Sequence, residues 1–348
     1  MGGHGRALEA LEEVLGTHED PASILDEVCK SIRSKYPAVF DSPLFTNAMT
    51  CQKVLVTILS RERYCQLDEI GSMTVDDLQS LGLIRWTPDY RLECAFMLLL
   101  LLIKKHVTNI GGNAAFDVHL TRLMLEHQSF EDIVAFLRCL KSVVYCDTPV
   151  ELSAFHPGAM FGPMSENIID EAKSFWCGPM DQLIIHEPKP RALVEATKHL
   201  LPESSGSDPL TCFTNAEGDI NMAETDKVVV DKSSHSTGAI FSSVQLVVND
   251  EKILRTEVIQ CKVLEAKRMS KSMYDQERAK SVNASSDVFL LFTPARVATK
   301  TFFLPAGCGI VTKNEFGQYF GPFESRVQRS LEASSSTIEK HDDDLLKA

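Results

Sequence analysis

Apolar positions recur every three or four residues through residues 1–146 and every second residue from Gly238 onward. The chain is therefore expected to be helical first and sheet-forming later. Ile24, Val28 and Ile32 fall at helical spacing, as do Val54, Leu55, Ile58 and Leu59. Thr74–Gly82 opens on an N-cap residue and closes on a glycine, both boundary signals of a compact helix. A short strand pair is expected over Leu83–Leu92, then an apolar helix from Glu93. Helix, hairpin, helix is a winged-helix-like order, but Asp76 and Asp77 on the candidate segment would repel phosphate. Helices are also expected over Asn113–His127 and Ser129–Val144, the second opening on a capping box of Ser129 and Asp132.

Eight prolines and several polar tracts break up residues 147–235, which read as a junction holding short helices at Ser165–Phe175 and Arg191–Leu200. Alternation then gives a hairpin of Ala239–Val248 and Arg255–Leu264 about the turn signal Asn249-Asp250. A charged helix follows over Ala266–Ser281, with buried strands at Asp287–Phe292 and Lys300–Leu304, a strand and glycine-rich turn within Cys308–Phe323, and a helix from Glu324. The expected fold is mixed α+β or α/β: a helical domain at 1–146, the junction at 147–235, a mixed-sheet core at 236–331 and an acidic, disordered tail at 332–348.

Composition narrows the function classes. The 348 residues carry a net charge of −13, against a general nucleic-acid coat, which needs clustered Lys and Arg. Glu251–Lys300 runs the other way, with ten Lys or Arg against six Asp or Glu. Ten scattered cysteines without a C-x-x-C read as reduced and mostly buried thiols. No secretory signal is evident, and the longest apolar run, Ala95–Ile103, is half of what a membrane span needs. A soluble, intracellular protein is the expectation, with no membrane association. No H-E-x-x-H, G-x-S-x-G, Rossmann glycine fingerprint or P-loop occurs, so ATP is not expected as a ligand.

Candidate chemistry sits on the strand Arg255–Leu264. Residues two apart share a strand face, so Gln260 and Lys262 project together with Val258, while Glu257, Ile259 and Cys261 face the other layer. A polar pair inside an apolar strand costs burial energy unless it has partners or a use. Ile259-Gln-Cys-Lys262 resembles the last motif of the PD-(D/E)xK nuclease superfamily in its Q-x-K form. Together with Phe130-Glu131, Phe155-His-Pro-Gly-Ala159 and Tyr319-Phe-Gly-Pro-Phe-Glu-Ser-Arg326, it also resembles the C-terminal part of Crinkler effectors and retrotransposon-hot-spot proteins, over about residues 70–330. Those families place an ATPase module ahead of this region, so the chain looks like a truncated or divergent member.

The resemblance implies a restriction-endonuclease-like domain and a nuclear location. It also implies Mg2+ held by oxygen ligands beside Gln260, with Lys262 orienting the attacking water. With Val248 opposite Ile253, Gln260 would face Phe241, and Ser242-Ser243 would stand where the family has an aspartate. Asp231, Asp226 or Asp219 would then have to reach in, and Gln276 on the following helix would contact substrate. Two function classes stay open. One is a nucleic-acid-associated, nuclease-like protein with an incomplete Mg2+ site. The other is a non-catalytic module binding nucleic acid or a protein partner through the basic helix 267–280, with Lys267, Arg268 and Lys271 as contacts.

Overall fold

The computed structural model describes residues 12–17, 21–82, 84–109, 129–145, 150, 152–162, 172–176, 182–186, 227–231, 239–248, 251–263, 268–281, 288–297, 302–305 and 307–333. It mixes helices and sheets in two compact units, Met1–Gln128 with Phe320–Ala333, and Ser129–Tyr319 with Ser334–Ala348.

The first unit is built on helices α1 (Pro21–Lys35), α2 (Ala48–Ser60), α3 (Val75–Ser80) and α4 (Phe96–Asn109). Asn47 caps α2 by accepting from the Thr50 amide at 3.1 Å. Two small antiparallel pairs flank α3, β1 (Glu69–Ile70) with β2 (Met73–Thr74), and β3 (Ile84–Trp86) with β4 (Leu92–Cys94). The two α3 aspartates have local structural uses. Asp77 forms a reciprocal capping box with Thr74, and Asp76 accepts from Gln66 Nε2 at 2.9 Å. A helix over residues 324–333 closes the unit, with Phe323 edge-on to Phe96 at 5.5 Å and the Arg326 guanidinium 4.3 Å from the same ring.

The second unit is one mixed sheet between helices. Its strands are β5 (Met160–Phe161), β6 (Ala172–Trp176), β7 (Gln182–His186), β8 (Lys227–Asp231), β9 (Ala239–Val248), β10 (Glu251–Cys261), β12 (Val288–Thr293) and β14 (Cys308–Thr312). The spatial order is β5-β14-β12-β10-β9-β8-β7, and β6 pairs with β9 beyond the stretch that β8 covers. β10, β12 and β14 run parallel and β9 antiparallel to β10. Every residue of β12 and β14 is buried, which is why they read as continuous apolar runs. A separate small pair joins β11 (Arg268–Met269), which precedes helix α6 (Lys271–Ser281) on the crossover from β10 to β12, to β13 (Arg296–Val297), which follows β12.

Helix α5 (Phe130–Val144) covers one sheet face, and only Glu131 and Asp132 among its residues escape burial. The other face packs Val258, Phe289, Leu291 and Ile310 against Met269 and Tyr274. Among the described residues all seven cysteines are free and no disulfide occurs; five of them are buried. No described helix is long and apolar enough to cross a membrane.

Four local expectations change. Residues 172–176 form a strand against β9 where a helix is expected, because the Ser-Phe-Trp end of the segment suits pairing on a pleated surface. Val248 pairs with Glu251, leaving a two-residue connection and placing Gln260 opposite Ala239 rather than Phe241. The charged helix begins at Lys271, since Arg268 and Met269 are taken into the pair with β13. Residues 302–305 lie outside any strand. The expected helices 113–127 and 191–200 and the tail 332–348 fall largely or wholly outside the described residues.

Candidate active site

β10 carries polar groups on both faces, and the two faces are used differently. On the α6 side Gln260 is buried, and its Nε2 donates to the carbonyl of Cys261 at 3.3 Å. Lys262 lies just past the strand end, where its amide still bonds the Phe292 carbonyl at 2.8 Å. Its ammonium stands 3.5 Å from Oε1 of Glu277 on α6. Glu277 comes three residues after Tyr274, whose ring is fully buried, so helical phase turns both toward the sheet.

Register places other candidates. Asp231, Ala239 and Gln260 stand in one row across β8, β9 and β10, and His186 of β7 extends that row. At about 4.8 Å per strand, Asp231 and Gln260 are some 9–10 Å apart at Cα. Ser242 and Ser243 pair with Glu257 and Thr256, away from Gln260. The row ends where β8 and β10 finish and β9 starts, with β10 parallel to one neighbour and antiparallel to the other. Among the described residues no three His, Cys, Asp or Glu side chains are grouped to hold a metal.

The basic residues expected to form one helical face are dispersed. Lys267 lies outside the described residues, and Arg268 is exposed on β11. Lys271 opens α6 and is paired with Asp275 of the same helix, while Gln276 is exposed. Gln260 thus lies at the end of β10 with Lys262 two residues on, just past the strand, and the 267–271 cluster is not a continuous stripe on the helix.

On the α5 side the strand presents Glu257, fully buried in a network that sequence patterning did not reveal. One carboxylate oxygen pairs with Arg138 Nε of α5, and the other lies 2.7 Å from His156 Nε2. His156 Nδ1 is 3.1 Å from the hydroxyl of Tyr319 on helix α7 (Phe316–Phe320). Nε2 faces the carboxylate and Nδ1 the phenol, and burial of the ring favours the neutral imidazole. Lys141, also buried, donates to the Phe155 carbonyl at 2.8 Å and sits 3.9 Å from the centre of the Tyr319 ring.

The electrostatics agree with that assignment. Burial opposes ionisation of Glu257, but Arg138 and His156 outweigh it and bring its pKa down to about 2. Burial lowers His156 to about 4 despite the carboxylate, with Lys141 and Arg138 adding to the effect. Burial drives the Tyr319 phenol well upward. All three charged or imidazole side chains of the Arg138–Glu257–His156 set are closed to solvent, so this set braces helix to sheet.

Signals for these residues exist in retrospect. Arg138 and Lys141 interrupt an otherwise apolar helix, and Glu257 sits inside an apolar strand. Taking helical phase from Tyr274 selects Glu277, one residue beyond the expected Gln276. The network also joins two of the stretches quoted for the resemblance, since His156 belongs to 155–159 and Tyr319 to 319–326.

No family model and no solved structure matches the chain. Crinkler effector protein 108 of Phytophthora sojae is 46% identical to it over 341 residues, 95% of this chain. The chain spans 39% of the length of that relative. In sequence the chain is therefore Crinkler-like over almost all of its length.

Proposed function

We propose that this chain is a nucleic-acid-associated part of a Crinkler-type effector, with a nuclease-like sheet domain that cleaves phosphodiesters in a Mg2+-dependent reaction centred on Gln260 and Lys262. The observation that carries the reading is their placement at the carboxyl end of β10, beside the strand reversal with β9. Hairpin, crossover helix and buried strand around them support a restriction-endonuclease-like arrangement.

The donor set suits a hard cation, since Gln260 and Asp231 offer only oxygen ligands, and these two would hold Mg2+. When bound, the ion polarises the phosphoryl oxygens and draws off developing charge. Lys262 would orient a water and stabilise the charge on the phosphoryl oxygens. The water oxygen forms a bond to phosphorus and gives up a proton to solvent, the opposite P–O bond breaks, and the departing oxygen takes a proton from solvent. A phosphate monoester and a hydroxyl result.

Cleavage of labelled DNA and RNA, single- and double-stranded, with Mg2+ or with chelator, tests this reading. Wild type should cut with Mg2+ only, and Lys262→Ala should abolish cutting with its thermal melt unchanged. Equal rates for the two proteins would overturn the proposal.

A further inference from the structure

Gln260 lacks an acidic neighbour in its own row on the strands that flank it. Its register partner on β9 is Ala239 and on β12 Leu291, and β10's own Glu257 is committed to the opposite face. Two oxygen ligands of which one is an amide supply little negative charge for a divalent cation. Helix α6 lies over this side of the sheet, held by Tyr274, whose hydroxyl donates to the Gly309 carbonyl at 3.2 Å. The next position in phase with that anchor is Glu277, only 8% exposed, whereas Asp275 and Gln276 face solvent. A carboxylate on the inner side of a helix is expensive to bury.

The contact it makes with Lys262 is informative in its length. At 3.5 Å it exceeds the roughly 2.7–2.9 Å of a tight charge-assisted hydrogen bond. Lys262 is 37% exposed as well, so the two groups are neighbours near solvent rather than a closed buried staple. A pair of this kind can open to admit a cation between the carboxylate and Gln260, with the ammonium turning to a phosphate oxygen.

We propose that Glu277 is the acidic member of the Gln260–Lys262 site, supplying from α6 the carboxylate that β9 lacks, for a divalent cation held against a phosphodiester. This rests on the nuclease-like reading above and adds to it a ligand from outside the sheet.

Mn2+ binding, read by electron paramagnetic resonance or calorimetry on the whole chain, tests the assignment without requiring cleavage. Wild type should bind Mn2+ with competition by Mg2+. Glu277→Gln should weaken binding by at least about tenfold with an unchanged thermal melt, and the exposed control Asp275→Asn should not. Glu277→Asp keeps the charge on a shorter stem and serves if the Gln variant melts early; it should bind more weakly than wild type. Wild-type affinity in a folded Glu277→Gln or Glu277→Asp protein overturns the role of Glu277 and leaves the Lys262 test standing. Absence of Mn2+ binding by wild type overturns this inference and the metal-dependent reading together.

Discussion

Replacing Glu257 by Gln preserves the shape of the side chain and removes only its charge, so the change isolates electrostatics from cavity formation. Arg138 then keeps its charge inside a fully buried site and loses the carboxylate charge it pairs with. Losing one partner of a buried ion pair costs about 3–5 kcal/mol, a large share of the roughly 5–15 kcal/mol that holds a domain folded. With urea slopes of about 1–3 kcal/mol per molar, the midpoint should fall by about 1–5 M. Far-UV circular dichroism during urea titration at pH 7 measures it. The double variant Arg138→Met with Glu257→Leu removes both charges and should recover most of the loss, because an apolar pair of similar volume has no charge to desolvate. A Glu257→Gln protein within about 0.5 kcal/mol of wild type would refute the reasoning, and so would additive losses in the double variant.

Acid sensitivity should follow from the same network. His156 takes up a proton near 6.5 when unfolded but only near 4 when folded, so the unfolded chain binds more protons between those values. Stability is lost as pH falls through that window, by up to about 3 kcal/mol at roughly 1.4 kcal/mol per unit. Glu257, held at about 2, adds a second loss below the ordinary carboxylate range. His156→Gln, which can still donate to Glu257 and accept from Tyr319, should flatten the stability profile between pH 6.5 and 4; an unchanged slope in urea titrations would show that His156 does not drive it. In the first unit Gly71 has φ of +69°, and a Cβ there would lie 2.7 Å from the Thr50 Cα. Gly71→Ala should therefore destabilise by about 1–3 kcal/mol, and an unaltered melt would contradict that packing.

Much of the candidate site was legible before folding. That Gln260 and Glu257 take opposite faces follows from the pleat of one strand, a property of consecutive residues. The α3 boundaries were equally local, since Thr74 and Asp77 cap their own helix. Helical phase already contained Glu277, but nothing in the sequence said which side of α6 would meet β10.

The sequence by itself determined the alternation of apolar and polar positions, the elements that alternation forms and the faces that functional groups take on a single strand. Register and partnership across the sheet were decided by tertiary structure. A two-residue connection moved Gln260 from Phe241 to Ala239, since loop length and turn geometry set which residues meet. Arg138 meets Glu257 across 119 residues and His156 meets Tyr319 across 163. Contacts of that separation leave no local period to read. They form because a charge buried at one point of the core demands its complement wherever packing brings one, and Lys262 meets Glu277 only because α6 docks on the sheet through Tyr274.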